Sequence, residues 1–264
     1  MHKEHEHKSI DYYAYRSGLG SWNTGYKVVF SVGALVTVIG ADSAGISIAT
    51  MIFMFFLSVM VGRIPARTYM GLMKLPVTFL LMGAAAILVQ IGSGQNSLYS
   101  VSLFQTKLYI TGDSLTLAGN VTLKALAAIS SLYMLTLSTP MGEILSVLRR
   151  LHVPALVLDL MHLIYRYIFL LSETNQRQKD AARSRLGYLD LKTSYRTFSS
   201  EAANLLILSL KKADMYYDAM EARGYEGGGM FWEEKKGLTG KQLLYGAIYL
   251  VLLILVFIIL RRSG

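Results

Sequence analysis

Two short stretches of this chain end alike. One reads Asp180-Ala181-Ala182-Arg183-Ser184-Arg185-Leu186-Gly187, the other Asp218-Ala219-Met220-Glu221-Ala222-Arg223-Gly224-Tyr225. Each closes a charged, helix-favouring run with Ala-Arg, and an aromatic follows at Tyr188 or Tyr225. The chemistry open to such an ending is recognition. A helix that stops leaves its last carbonyls unpaired, and a glycine just past the end is predicted to take the left-handed conformation that caps them. An arginine there sits at the negative end of the helix dipole, and its guanidinium can reach a carboxylate on another molecule. One such ending is ordinary helix punctuation. Two in one polar insert call for more explanation, and the residues singled out are Ala182, Arg183, Ser184 and Arg185, then Ala222, Arg223 and Gly224.

A second constellation is Asp159, His162 and Arg166, spaced i, i+3 and i+7 on one helical face. Asp159 and His162 could form a metal pair, or His162 could serve as a base with Glu173 nearby in sequence. A pair without a third ligand fits a polar stripe on a packed helix better. His2, His5 and His7 stand near the start of the chain, where histidines are usually solvated. There is no cysteine, which excludes disulfides, thiolate ligands and a cysteine nucleophile. No HExxH, GxSxG or P-loop pattern occurs, and Gly227-Gly228-Gly229 lacks the strand-then-helix setting of a phosphate loop. The reading assigns no catalytic residue, no metal ligand and no cofactor.

The elements that must position these residues are mostly apolar. The chain has 264 residues, 53% hydrophobic and 16% charged, with a formal net charge of +9. Soluble domains carry about 25% charged residues. The apolar residues come in blocks near the ~20 needed to cross a bilayer. The predicted fold is all-α, a polytopic membrane protein with about five transmembrane helices and a cytoplasmic helical insert. Residues 1–26 form an N-terminal interfacial segment rich in tyrosine. Residues 27–140 hold four spans. The first two make a hairpin about Gly40–Gly45, the third runs from about Val77 to Ile91 and the fourth from about Leu115 to Leu137. Short extended structure is predicted at 101–104 and 107–110. Residues 141–240 are the insert, and 241–264 the last span.

Within the insert, an amphipathic helix is predicted from Val153 through Arg185, since Asp159 and Arg166 would each cost about 2.5–3.5 kcal/mol at a bilayer centre. Further helices are predicted over Ser199–Lys212 and Ala213–Ala222. Lysine and arginine place the insert and the Arg63–Lys74 loop inside, and the basic excess is then a matter of orientation. Acids are mixed through the insert, and no basic face is interleaved with stacking aromatics, so nucleic-acid binding is excluded. The spans read as nearly free of ionisable groups, which argues against chemistry within the membrane.

The paired Ala-Arg motifs in a long insert resemble the transmembrane T components of energy-coupling factor (ECF) transporters, a branch of the ABC transporters. The start, Ile10-Asp11-Tyr12-Tyr13-Ala14-Tyr15 with Ser17 and Leu19, is similar to the cobalt group, the CbiQ type. Ala222-Arg223-Gly224 matches the family pattern fully, and Ala182-Arg183-Ser184 matches its serine form with Arg185 as a neighbouring candidate. Gly25 stands where many relatives carry proline. The resemblance implies a non-enzymatic scaffold in the cell inner (plasma) membrane. It would dock two cytoplasmic ATPases through the motifs, hold a substrate-binding S component in the lipid membrane and serve cobalt uptake. The same mechanism with a nickel or vitamin cargo is the alternative, and a membrane enzyme using Asp159 and His162 the remoter one.

Overall fold

The computed structural model describes residues 10–88, 90–91, 99–103, 106–225 and 236–263. In chain order the helices are α1 (Ile10–Arg16), α2 (Thr24–Ala41), α3 (Ala44–Phe56), α4 (Ala66–Leu88), α5 (Gly112–Thr136), α6 (Met141–Arg150), α7 (Ala155–Ser184), α8 (Leu191–Glu221) and α9 (Gly240–Ser263). Gly18–Ser21 forms a 3-10 turn, and α3 runs on as a π-helical turn, Leu57–Val61. Between α4 and α5 lie three short strands, β1 (Gln90–Ile91), β2 (Tyr99–Leu103) and β3 (Thr106–Ile110). They pair antiparallel in the order β1-β3-β2, with Gln90 opposite Tyr109 and Val101 opposite Leu108. The chain is an all-α polytopic membrane protein to which this small sheet is appended.

Two compact units share the chain, one made of residues 1–140 and 234–264, the other of 141–233. In the first, α2, α3 and α4 all pack on α5, and α9 packs on α3. Its core is built of Leu19, Trp22, Ala34, Phe53, Met54, Leu57, Met134 and Tyr249, with Ile64, Tyr69 and Leu137 as a second cluster. Small hydroxyls let the helices approach: the Ser31 hydroxyl donates to the Ser131 carbonyl at 2.5 Å. The hairpin falls where its glycines and aspartate predict it, with Asp42 left-handed (φ 44°) at the end of α2.

Three sequence expectations need correcting. The third span does not wait for Val77. It starts at Ala66, behind Pro65, and carries Pro76 inside the helix. Proline has no N–H for the carbonyl four residues back. Tyr133 on α5 supplies that missing donor, its hydroxyl reaching the Leu72 carbonyl at 3.2 Å. The spans also hold more charge than expected. Lys27 is fully buried in α2 and donates to the Ser138 carbonyl at 2.9 Å, just past the negative end of α5. Lys124 within α5 pairs with Asp42. Finally, the two helices predicted over 199–222 are one, because no glycine or proline interrupts them. It begins eight residues earlier than expected because Asp190 caps it, accepting from the Thr193 N–H at 2.7 Å.

Among the described residues six helices are long and apolar enough to cross a membrane, against the five expected. The sixth is α7, in the second unit. Length and composition alone do not separate a span from an amphipathic helix. The polar stripe of Asp159, His162 and Arg166 lies in the first half of α7, and His2, His5, His7 and Gly227-Gly228-Gly229 fall outside the described residues.

Candidate docking site at two helix ends

The second unit is built on α7 and α8, which run antiparallel. Near the start of α7, Asp159 accepts from the Tyr225 hydroxyl, beyond the end of α8, at 2.7 Å. Further along, the rings of Tyr167 and Tyr216 meet edge to face at 5.1 Å, and the Arg166 guanidinium lies over Tyr216 at 5.6 Å. At the end of α7 the Thr197 hydroxyl donates to the Gly187 carbonyl at 2.7 Å. The two motifs therefore cap opposite ends of one helix pair.

Both motifs close as the same turn. At the first, the Gly187 N–H reaches the Ala182 carbonyl at 2.9 Å and the Leu186 N–H reaches the Arg183 carbonyl at 3.0 Å. At the second, Tyr225 N–H reaches Met220 at 3.1 Å and Gly224 N–H reaches Glu221 at 2.9 Å. These are the paired six-to-one and five-to-two bonds of a Schellman cap. The left-handed residue is Gly224 (φ 73°) at the second end but Leu186 (φ 59°) at the first, so the expectation of a left-handed glycine holds only once. Gly187 is needed for a different reason. A Cβ there would stand 2.9 Å from the Thr197 hydroxyl and 3.0 Å from the Ala182 carbonyl.

This register changes the pairing of the motifs. The residue just before the left-handed one is Arg185 at the first end and Arg223 at the second. By backbone geometry Ser184 then matches Ala222, and Arg183 falls one position before. All three arginines are exposed. A third cap of the same kind closes α6, where Val153 N–H reaches Leu148 at 3.3 Å and His152 is left-handed, but there the preceding residue is Leu151. The cap is common to three helix ends. The arginine in that position is common to two.

Each of the two ends is also tied to a buried carboxylate on the other helix. Tyr188, just past the first cap, donates to Glu201 on α8 at 2.7 Å, and Tyr225 does the same to Asp159 on α7. Asp159 is 7% exposed and Glu201 8%. The Glu201 carboxylate holds the Tyr188 phenol above its ordinary pKa, since the bond to the anion is lost when the phenol ionises. The tyrosines stand in both motifs and Asp159 in the polar stripe, whereas Glu201 carries no local signal and the pairing across 13 and 66 residues carries none at either end. Beside the first cap lies an open cleft of about 580 Å³, lined by Arg185, Arg196, Gln178, Glu201 and Asn204.

The residues weighed for catalysis do not converge. Asp159 is held by Tyr225, and Glu173 pairs with Arg177 one turn along α7. His162 is exposed. Among the described residues no group of three histidines or acids could hold a metal ion.

The fold defines a multi-pass membrane protein with a second, helical unit whose two helix ends carry the paired caps. Comparison with known proteins then gives the family: residues 19–233 match the CbiQ model, described as cobalt transport protein, and the chain belongs to that family. It is 27% identical to an uncharacterised protein of Methanocaldococcus jannaschii, over 95% of this chain and 92% of that one. It is 30% identical to a putative fused cobalt transport protein CbiMQ of Methanocorpusculum labreanum, over 87% of this chain and 38% of that longer protein. The cobalt transport protein CbiQ of Rhodobacter capsulatus is 30% identical over 63% of each chain.

Proposed function

We propose that this protein is the T component of an ECF-type importer for cobalt. It hydrolyses nothing itself. The second unit is cytoplasmic and docks one ATPase at each end of the α7–α8 pair, and ATP-driven movement passes through that pair to a substrate-binding S component in the plasma membrane. The observation that carries this reading is the arginine set before the left-handed residue at both ends, exposed and unpaired by any carboxylate of the described residues. An exposed guanidinium in a rigid turn is a donor presented outward, and two such donors at opposite ends suit two similar acceptors. Ala182, Ser184, Ala222 and Gly224 shape the turns, and Arg183, Arg185 and Arg223 make the contacts.

Cobalt is favoured as cargo by the family and by the relatives named for it. Nickel or a vitamin would use the same mechanism. The test is isolation from native membranes in mild detergent, followed by identification of what accompanies the chain and by uptake of radioactive cobalt with nickel as competitor. Two ATPase copies and a small membrane protein should co-purify, and uptake should require ATP. Isolation without an ATPase, together with an activity lost in His162→Ala, would instead favour a membrane enzyme.

A further inference from the structure

Two tyrosine–carboxylate pairs tie the candidate docking ends together, and neither is explained by docking itself. Each tyrosine lies one or two residues beyond the left-handed residue of its cap, at Tyr188 after Leu186 and at Tyr225 after Gly224. Each donates at 2.7 Å to an acid that is more than nine-tenths buried. The ties cross over: the end of α7 is held to α8, and the end of α8 is held to α7. A buried carboxylate is costly unless hydrogen-bonded, so each acid is retained against a penalty that an apolar residue would avoid. Specificity of arrangement is the property such a group supplies.

We propose that Tyr188–Glu201 and Tyr225–Asp159 act as crossed latches that fix the α7–α8 pair as one lever, with its two arginine ends at a set separation. Tyr188, Glu201, Tyr225 and Asp159 are positioning residues. They act through Arg185 and Arg223. The α8 segment between the latches, Glu201 to Glu221, is about 30 Å long at 1.5 Å per residue. Over such a length, loss of a tie at either end converts movement of one arginine into bending of the pair. With both ties in place, movement at one end becomes movement of the whole. The functional half of this proposal rests on the docking reading above, and its geometric half does not.

The experiment uses the whole protein in nanodiscs. Cysteines at Ala181 and Ala219, one turn before each end, carry spin labels, and the chain has no native cysteine to interfere. Pulsed electron resonance should give a narrow distance distribution for the parent and a broad one for Tyr188→Phe/Tyr225→Phe. The Asp159→Asn/Glu201→Gln variant keeps an acceptor oxygen opposite each hydroxyl and should stay narrow. In the complex with its ATPases, the double Phe variant should lose roughly tenfold in uptake per ATP hydrolysed, on the scale of one charge-assisted hydrogen bond, while both ATPases remain bound. An unchanged distance distribution in the double Phe variant overturns the latches, whatever docks at the ends. So does a broad distribution in the Asn/Gln variant, since the hydroxyl contact would then not be what fixes the pair. Broadening with uptake per ATP unchanged overturns the lever role. Absence of any bound ATPase from the parent complex overturns that role together with the docking reading, and the distance measurement still decides the latches.

Discussion

Arg185 and Arg223 occupy the same place in two identical turns, and Arg183 does not. The sequence aligns Ala182-Arg183-Ser184 with Ala222-Arg223-Gly224, because spelling is all it offers. Backbone geometry shifts that alignment by two residues, since Leu186 accepts the left-handed conformation that was assigned to a glycine. If position in the turn decides the contact, Arg185→Ala should weaken ATPase binding as much as Arg223→Ala, and Arg183→Ala less. Loss of a buried charge-assisted contact at an interface typically costs about 2–5 kcal/mol, whereas an arginine that merely complements a helix dipole gives about 0.3–1 kcal/mol. Titration of the ATPase against each purified variant separates the two. The Tyr188 phenol adds a pH signature. Its pKa is raised in the folded protein, so its contribution is fully present below the unfolded value near 10 and is lost as pH rises through the higher folded value. A Tyr188→Phe variant should therefore melt below the parent in the neutral range, with the gap narrowing as the parent loses this contribution at alkaline pH, as read by thermal melting from pH 7 to 11.

Helix ends and helix partners carry the next set of consequences. Gly224 lies at φ 73°, where a side chain costs about 1–2 kcal/mol, and Leu186 already bears that strain at φ 59°. Gly224→Ala should lower the melting temperature, and Leu186→Gly should not. Equal destabilisation by the two changes would mean that the caps are not what hold these ends. In the membrane unit, Lys27→Met keeps the volume but leaves the Ser138 carbonyl without its ammonium donor, a loss of about 1–3 kcal/mol measurable by melting in detergent. These elements were unequally legible in the sequence. The α2–α3 hairpin and α7 announced themselves through turn residues and helical spacing. The continuity of α8 and the start of α4 did not. The cap at Asp190 has no capping-box partner to mark it in the sequence, and Pro76 is tolerated inside α4 because the compensating Tyr133 hydroxyl comes from another helix.

At the scale of the molecule, hydropathy is enough to give an all-α polytopic protein, and among the described residues five of the six candidate spans lie in one compact unit. It could not decide α7, whose length and apolar content suit a span and whose acidic and basic stripe suits an interface. The proposed function requires the second unit to be cytoplasmic. A cysteine at Ser184 should then react with an impermeant reagent only after permeabilisation, and one at Asp113 should react in intact cells. The contacts tying the helix ends were illegible too, because the tyrosines and acids that meet are set by the antiparallel pairing of α7 with α8 and not by any local pattern. The central claim is that the two arginine-bearing ends hold two ATPases, and the most direct measurement is co-purification of the ATPases with the Arg185→Ala/Arg223→Ala double variant, beside each single one. The account predicts partial loss of ATPase in each single variant and near-complete loss in the double, with the protein inserted and expressed at the parent level. A double variant that retains both ATPases and takes up cobalt at the parent rate would contradict it.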